Sequence, residues 1–146
     1  MEEITIKAIV DGEMPEYATE GAAGMDLKAR LEAPLTIGPG TRALIPTGLS
    51  IELPAGYEAQ IRARSGLAVN YGIGLVNGVG TVDSDYRGEI KICLINHGEE
   101  SLTIKDGDRI AQLVFARYTR ASLEVVDELR NTERGERGFG HTGVGK

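Results

Sequence analysis

Apolar residues never run far in this chain. Ile, Leu and Val gather in short, β-branched bursts, and Gly, Pro or Asp halts each one. Such bursts are too short to give a helix a long apolar stripe, and strands are what they fit. Residues 4–9 alternate with period two and read as a first strand. A polar loop over 12–24 gives way to extended structure at 24–29, and Gly38-Pro39-Gly40 turns the chain between the runs at 34–37 and 41–45. Pro46-Thr47-Gly48 bends it into 49–53, and Pro54-Ala55-Gly56 turns it into 57–63. Strands at this spacing, one about every ten residues, suit a sandwich or a barrel. Further on come 102–104, a turn at 105–108, a strand over 109–117 and a last short strand at 122–126. One interval breaks the rhythm: Ser65 can N-cap a short helix over 67–71, and Gly72 can close it.

At 146 residues the chain fits one domain, because a chain of about 150 residues buries roughly 70% of its unfolded surface in a single core. No internal repeat or second domain is visible. The core must be light, since the sequence holds 20 Gly, 2 Phe and no Trp, and a light core favours further burial between subunits. The net charge of -6 argues against duplex nucleic acid as a partner, because that role calls for a basic face. No apolar run approaches the roughly 18 residues of a membrane span, and Met1-Glu2-Glu3 is acidic where a signal peptide is basic. A cytoplasmic protein with no membrane partner is expected. The single cysteine, Cys93, cannot form an internal disulfide and reads as a small buried core residue. From 131 onward the composition changes to Gly, Arg and Glu with almost nothing apolar, so the chain divides into a β-domain over 1–130 and a mobile tail over 131–146.

The densest chemistry lies in Gly80-Thr81-Val82-Asp83-Ser84-Asp85-Tyr86-Arg87-Gly88-Glu89-Ile90-Lys91. An apolar run enters this stretch and the alternating Ile90, Ile92 and Leu94 leave it, which predicts a β-hairpin over 78–96. Its turn carries two carboxylates, a tyrosine and an arginine, more than a chain reversal requires. Asp83 suits a general base, a role worth roughly 10²–10⁴-fold in rate, or a turn Asp that bonds its own backbone. Tyr86 offers an apolar face to a flat ligand or simply covers the turn. No His or further carboxylate is spaced to complete a protein metal cage.

Elsewhere, Asp26 follows a glycine at a strand entry and by itself reads as a loop-edge carboxylate. Arg64-Ser65-Gly66 brings a guanidinium, a hydroxyl and free backbone N–H groups to a helix start, which suits a phosphate or an ordinary cap. Gln112 interrupts an apolar strand, where alternation places it on the outer face. Gly140 to Lys146 has the G-x-x-x-x-G-K spacing of a phosphate loop but neither the preceding strand nor the following helix that motif needs. Phe139 is a lone aromatic in a segment too polar to fold by itself. It can stack on a flat ring while Arg134 and Thr142 reach a phosphate, closing the tail as a lid.

Taken together these stretches resemble the trimeric dUTPase family, the dUTP nucleotidohydrolases. Five family motifs stand in order: Ala23-Gly24-Met25-Asp26-Leu27; Arg64-Ser65-Gly66-Leu67-Ala68; Gly80 to Gly88; Gly107-Asp108-Arg109-Ile110-Ala111-Gln112-Leu113; and Arg134-Gly135 with Gly138-Phe139-Gly140-His141-Thr142-Gly143. One departure is visible, His141 where the family usually has serine. The resemblance implies an all-β, distorted jelly-roll-like subunit with one short helix, in a homotrimer whose active sites are shared between chains. It implies hydrolysis of dUTP to dUMP and pyrophosphate, with Asp83 activating the water that attacks the α-phosphorus. It places uracil against backbone at Gly80 and Lys91 and the Asn77 side chain, with Thr81 and Val82 alongside and Tyr86 stacked on deoxyribose. Arg64, Ser65, Gly66 and Gln112 would hold the triphosphate with Mg²⁺ on its oxygens, and Asp26 would face the metal's water shell. Arg134, Phe139, Gly140 and Thr142 would come from a third chain's tail. Such an enzyme limits uracil incorporation into DNA and supplies dUMP for thymidylate synthesis. Two other readings remain: a dCTP deaminase, which shares the fold, and a non-catalytic trimeric binding module. The Asp83-to-Gly88 turn fits the hydrolase form better than the deaminase form, and a binding module has no use for both Arg64-Ser65-Gly66 and the Phe139 tail.

Overall fold

The structure is a computed structural model that describes residues 3–140, 142–143 and 145. Among the described residues seven strands precede the helix: β1 (Lys7–Val10), β2 (Glu16–Tyr17), β3 (Met25–Lys28), β4 (Leu35–Ile37), β5 (Arg42–Pro46), β6 (Leu49–Glu52) and β7 (Tyr57–Arg62). Helix α1 (Ser65–Tyr71) is followed by β8 (Ile73–Leu75), β9 (Gly80–Val82), β10 (Lys91–Asn96), β11 (Leu102–Ile104) and β12 (Arg109–Arg117). The order β2-β3-β12-β7-β9 makes a five-stranded sheet, β5-β10-β8 a three-stranded one, and β1-β6 and β11-β4 two ribbons. Every pairing is antiparallel. The expected all-β, jelly-roll-like sandwich with one short helix is what the chain forms. No helix among the described residues is long and apolar enough to cross a membrane.

Alternation sorts the side chains between core and surface. Along β7, Ala59 and Ile61 are buried, while Glu58, Gln60 and Arg62 stand on the opposite face and hydrogen-bond in a line. Leu27, Ala111 and Leu113 of the five-stranded sheet meet Ile45, Ile92 and Leu94 of the three-stranded sheet in one core of Ala, Val, Ile and Leu. Each fully buried aliphatic side chain there contributes about 1.5–3 kcal/mol. Asn96 is the fully buried polar exception. Its Nδ2 donates to the Ile37 and Glu100 carbonyls and its Oδ1 accepts from Gly98 N, so every polar atom is spent pinning the end of β10.

A bulge in β12 sets up one surface. Arg109 stands opposite Lys28 and Ala111 opposite Leu27, which leaves Ile110 as an extra residue. Ile110 and Ala111 are therefore both buried. The insertion also turns Arg109 onto the face of Gln112, whereas residues three apart in a regular strand point to opposite faces.

Several local expectations change. The first strand is shorter than the alternation suggested and begins at Lys7. Arg64, not Ser65, occupies the N-cap of α1 without a side-chain cap bond, so Ser65 opens the first turn. Gly72 does close the helix, at φ 68°, with its would-be Cβ 2.6 Å from Gly98 N. Cys93 is half-buried on β10 rather than a core residue. The strand expected at 122–126 does not form, and Leu123 and Val125 are 92% and 97% exposed. A strand persists only when its backbone is paired, and this segment has left the sheets at Arg117 without meeting another edge.

The larger correction concerns residues 78–96, which are not a hairpin. β9 pairs with β7, whereas β10 pairs with β5 and β8. Residues 83–90 are too many for the tight reversal that would lay β10 on β9. They carry the chain from one sheet to the other.

Candidate active site

That crossing creates a cleft. β9 is the outer strand of its sheet, and β10 pairs with β8 only from Leu94 to Asn96. Gly80–Val82 on one side and Lys91, Ile92 and Cys93 on the other therefore line a cavity of about 320 Å³ instead of pairing with each other. Val76 N donates to the Cys93 carbonyl at 3.0 Å and closes its inner end. Two strand edges left open present main-chain donors and acceptors in one plane, and a flat ring carrying both kinds of group can complete them as an added strand would.

The side chains refine this slot. Leu44, Ile61, Leu75 and Ile92 supply apolar wall, while Asn77, Thr81, Asp83, Tyr86, Glu89 and Lys91 supply polar groups. Gly80 has to be small: a Cβ there would lie 3.0 Å from the Ile61 Cβ and 3.3 Å from Asn77 Nδ2. Asp83 is exposed just beyond β9, and its carbonyl accepts Tyr86 N at 3.1 Å. The Arg87 guanidinium is consumed by the turn, donating to the carbonyls of Ser84 (2.7 Å) and Tyr86 (3.0 Å). The Tyr86 hydroxyl donates to the Glu89 carbonyl at 2.9 Å, which leans the ring over Gly88.

A second cluster occupies the outward face of the five-stranded sheet. Register aligns Glu16, Asp26, Gln112 and Arg62 in a row across β2, β3, β12 and β7. Asp26 is the buried member. Arg64 Nε lies 3.1 Å from its Oδ1 and Arg109 Nη1 lies 3.6 Å from its Oδ2. The Arg64 contact is an ion pair without hydrogen-bond alignment, and Oδ1 has no hydrogen-bond partner among the described residues. Arg64 also donates to the Arg109 carbonyl at 3.1 Å. Ser65 and Gly66 follow at the exposed start of α1. Guanidiniums, an amide and a hydroxyl on one open face can hold a polyanion.

The two clusters do not meet within the chain. Val82 is opposite Ala59, so Asp83 falls beside Glu58. Six residues of extended chain separate Glu58 from Arg64, about 20 Å at the usual strand rise. The Arg64 side chain, moreover, reaches past β12 to Asp26 on β3, away from β9. Three linked phosphates do not bridge that gap. Nor does the tail join either cluster: Arg134 bonds to Arg137, and Phe139 stands wholly exposed at φ 49°. Gly140 and Thr142 are likewise exposed, and His141 lies outside the described residues.

Among the described residues no three His, Cys, Asp or Glu side chains gather as metal ligands. Asp26, one carboxylate already facing two guanidiniums, fits a divalent cation only as an ion carried in on phosphate oxygens. Sequence reasoning passes over Arg109 and Glu89. Arg109 carried no signal, because the bulge at Ile110 lies in a strand whose apolar residues do not alternate, Leu113 to Ala116 running together. Glu89 carried none either, because its partner lies far away in sequence.

Comparison with known proteins covers both clusters. The sequence profile of the family described as dUTPase matches residues 11–143. A deoxyuridine 5′-triphosphate nucleotidohydrolase of Caldanaerobacter subterraneus is 61% identical over 131 residues, covering 90% of this chain and 88% of that protein. One from Anaeromyxobacter is 55% identical over the same shares. Among solved structures, a Staphylococcus bacteriophage 80alpha dUTPase mutant with dUpNHpp superposes at a TM-score of 0.86 and 26% identity, over 96% of this chain and 99% of that one.

Proposed function

This chain belongs to the dUTPase family, and from that premise we propose that it hydrolyses dUTP to dUMP and pyrophosphate. The observation that carries the reading is the slot between two open strand edges, with Asp83 at its rim and Tyr86 over it. Uracil has donors and acceptors along one edge, as the backbone of Gly80 and Lys91 and the Asn77 amide require. A packed slot rejects the additional methyl of thymine by about 1–3 kcal/mol. Tyr86, stacked on deoxyribose, leaves no room for a 2′-hydroxyl.

Asp83 accepts a proton from a water as the water oxygen bonds to the α-phosphorus. The bond from that phosphorus to the bridging oxygen breaks, and its electron pair departs with pyrophosphate. Such a displacement needs an oriented nucleophile and neutralised oxygens, and little else from the protein. Arg64, Ser65, Gly66 and Gln112 hold the phosphates; Mg²⁺ carried in on the substrate would supply further neutralisation, and Asp26 is the residue that would face it.

The separation of the two clusters supports a site shared between chains, with Asp83 from one subunit and Arg64 from the next. The exposed Leu123, Val125 and Leu129 support the same homotrimer, since they need a neighbour to cover them. The β-domain then spans 1–130, and the 131–146 tail of a third subunit closes as a lid, placing Phe139 on the base with Arg134, Gly140 and Thr142 at the phosphates. In the cytoplasm such an enzyme keeps uracil out of DNA and provides dUMP for thymidylate synthesis.

The test is pyrophosphate release from dUTP, dTTP, dCTP and UTP under identical conditions. Release from dUTP should exceed each of the others by at least roughly tenfold. Ammonia from dCTP without pyrophosphate would make the protein a deaminase, and no turnover of any of the four would leave a binding module.

A further inference from the structure

We infer that Glu89 is a positioning residue for sugar discrimination, holding Tyr86 in place from the turn between β5 and β6. The inference rests on the proposed role of Tyr86 at the deoxyribose. A ring can exclude a hydroxyl only if it does not swing aside, and Tyr86 is 46% exposed, with little packed around it. Two contacts restrain it. Its hydroxyl donates to the Glu89 carbonyl at 2.9 Å, and Gly88 lies so close beneath that any Cβ there would overlap the phenol.

Both contacts belong to the return limb of the turn, so the ring is only as fixed as residues 88–90. That limb is tied to residues 47–49 by three hydrogen bonds. Gly48 N donates to Glu89 Oε1 at 2.9 Å, Thr47 Oγ1 donates to the Ile90 carbonyl at 2.6 Å, and Ile90 N donates to the Leu49 carbonyl at 2.7 Å. The third holds the peptide plane that carries the Glu89 carbonyl, and the first is the one that acts through the Glu89 side chain. Its donor is itself tied down: Gly48 sits at φ 69°, any Cβ there would overlap the Asp11 carbonyl, and its own carbonyl accepts Asp11 N at 2.8 Å. A side-chain restraint therefore runs from Asp11 through Gly48 and the Glu89 carboxylate to the residue that receives the Tyr86 hydroxyl, beside the backbone restraint at Ile90. Lys91 Nζ, 3.9 Å from Glu89 Oε2 and half-exposed, adds little.

The experiment compares kcat/KM for dUTP and for UTP in the wild type, Tyr86→Ala, Glu89→Ala, Glu89→Gln and Gly88→Ala. Glu89→Ala should lower the dUTP/UTP ratio by about tenfold, chiefly through faster UTP turnover. Glu89→Gln, whose amide oxygen still accepts from Gly48 N, should keep the ratio within about twofold. An unchanged ratio in Glu89→Ala, alongside a lost one in Tyr86→Ala, overturns the positioning role and leaves the role of Tyr86 standing. An equal fall in Glu89→Gln overturns it too, since charge rather than the hydrogen bond would then matter. A wild type indifferent to the 2′-hydroxyl overturns the reading of Tyr86 itself. Should Glu89→Ala fail to fold, Gly88→Ala decides: its Cβ displaces the same phenol, so a wild-type ratio there sinks the inference.

Discussion

The cleft and the charged sheet face are assembled by opposite means. In the cleft, main-chain geometry does the shaping: two strand edges held apart, a turn stapled by Arg87, and a ring fixed by the Glu89 carbonyl. Little net charge is involved, and the parts satisfy one another within the chain. On the sheet face the organising agent is charge. Arg64 and Arg109 converge on one buried carboxylate whose Oδ1 lacks a hydrogen bond, and Arg62 stands in the same row. The first region is complete alone, whereas the second is an excess of cation, with Arg62, Arg64 and Arg109 against Asp26 and Glu16. Selecting a neutral ring and gripping a polyanion demand different surfaces, and the extended chain from Glu58 to Arg64, about 20 Å, keeps the two from disturbing each other in one chain.

The comparison can be broken at its strongest point first. Asp83→Asn removes the proposed base and alters no packing, because Asp83 is exposed. The expected loss in kcat is about 10³-fold, with dUTP affinity changed by less than about threefold. Pyrophosphate release and titration calorimetry measure the two, and near-normal turnover would remove Asp83 from the chemistry.

A mixing experiment tests whether the halves belong to different chains. Arg64→Ala and Asp83→Asn, each inactive alone, are unfolded and refolded together. Random trimers should recover about a quarter of wild-type activity, since that share of sites draws an intact Asp83 and an intact Arg64 from different neighbours. Recovery no greater than the separately refolded controls would confine the site to a single chain.

The smallest expected effect concerns salt. Raising ionic strength from about 0.05 to 0.5 M screens the exposed guanidiniums and should raise KM for dUTP by about threefold. The dUTP/dTTP preference, assigned in the proposed reading to the main chain of the cleft, should stay constant. A preference that drifts with salt would show that the two regions are not electrically separate.

Much of the fold was legible because its signals are local. Gly and Pro mark the turns, and alternation along residues 57–63 places Ala59 and Ile61 inside. The helix was legible as well, since Gly72 is the kind of residue that closes one. What failed was any statement about which strand pairs with which. The run at 78–96 looks like a hairpin because sequence proximity favours neighbours, yet β9 goes to β7 and β10 to β5 and β8. Core burial decided the outcome: Val82 and Ile92 each serve the core from a different sheet. The bulge at Ile110 was hidden in the same way, because its consequence, Arg109 facing Asp26, appears only once β3 lies alongside. Asp83, Arg64 and Gln112 could be picked out as chemical types, but their separation is a property of register.

The open edges of β9 and β10 carry a last consequence, for how such a protein drifts over generations. A side chain changes with one codon, but a peptide group is the same in every residue except proline. Recognition placed in the main chain, as proposed for this cleft, is therefore shielded from most point mutations: lineages can replace much of the surface and keep the choice of base. Altering that choice requires moving a strand, and Ile61 beneath Gly80 and the Asn96 anchor at the end of β10 hold those strands where they are.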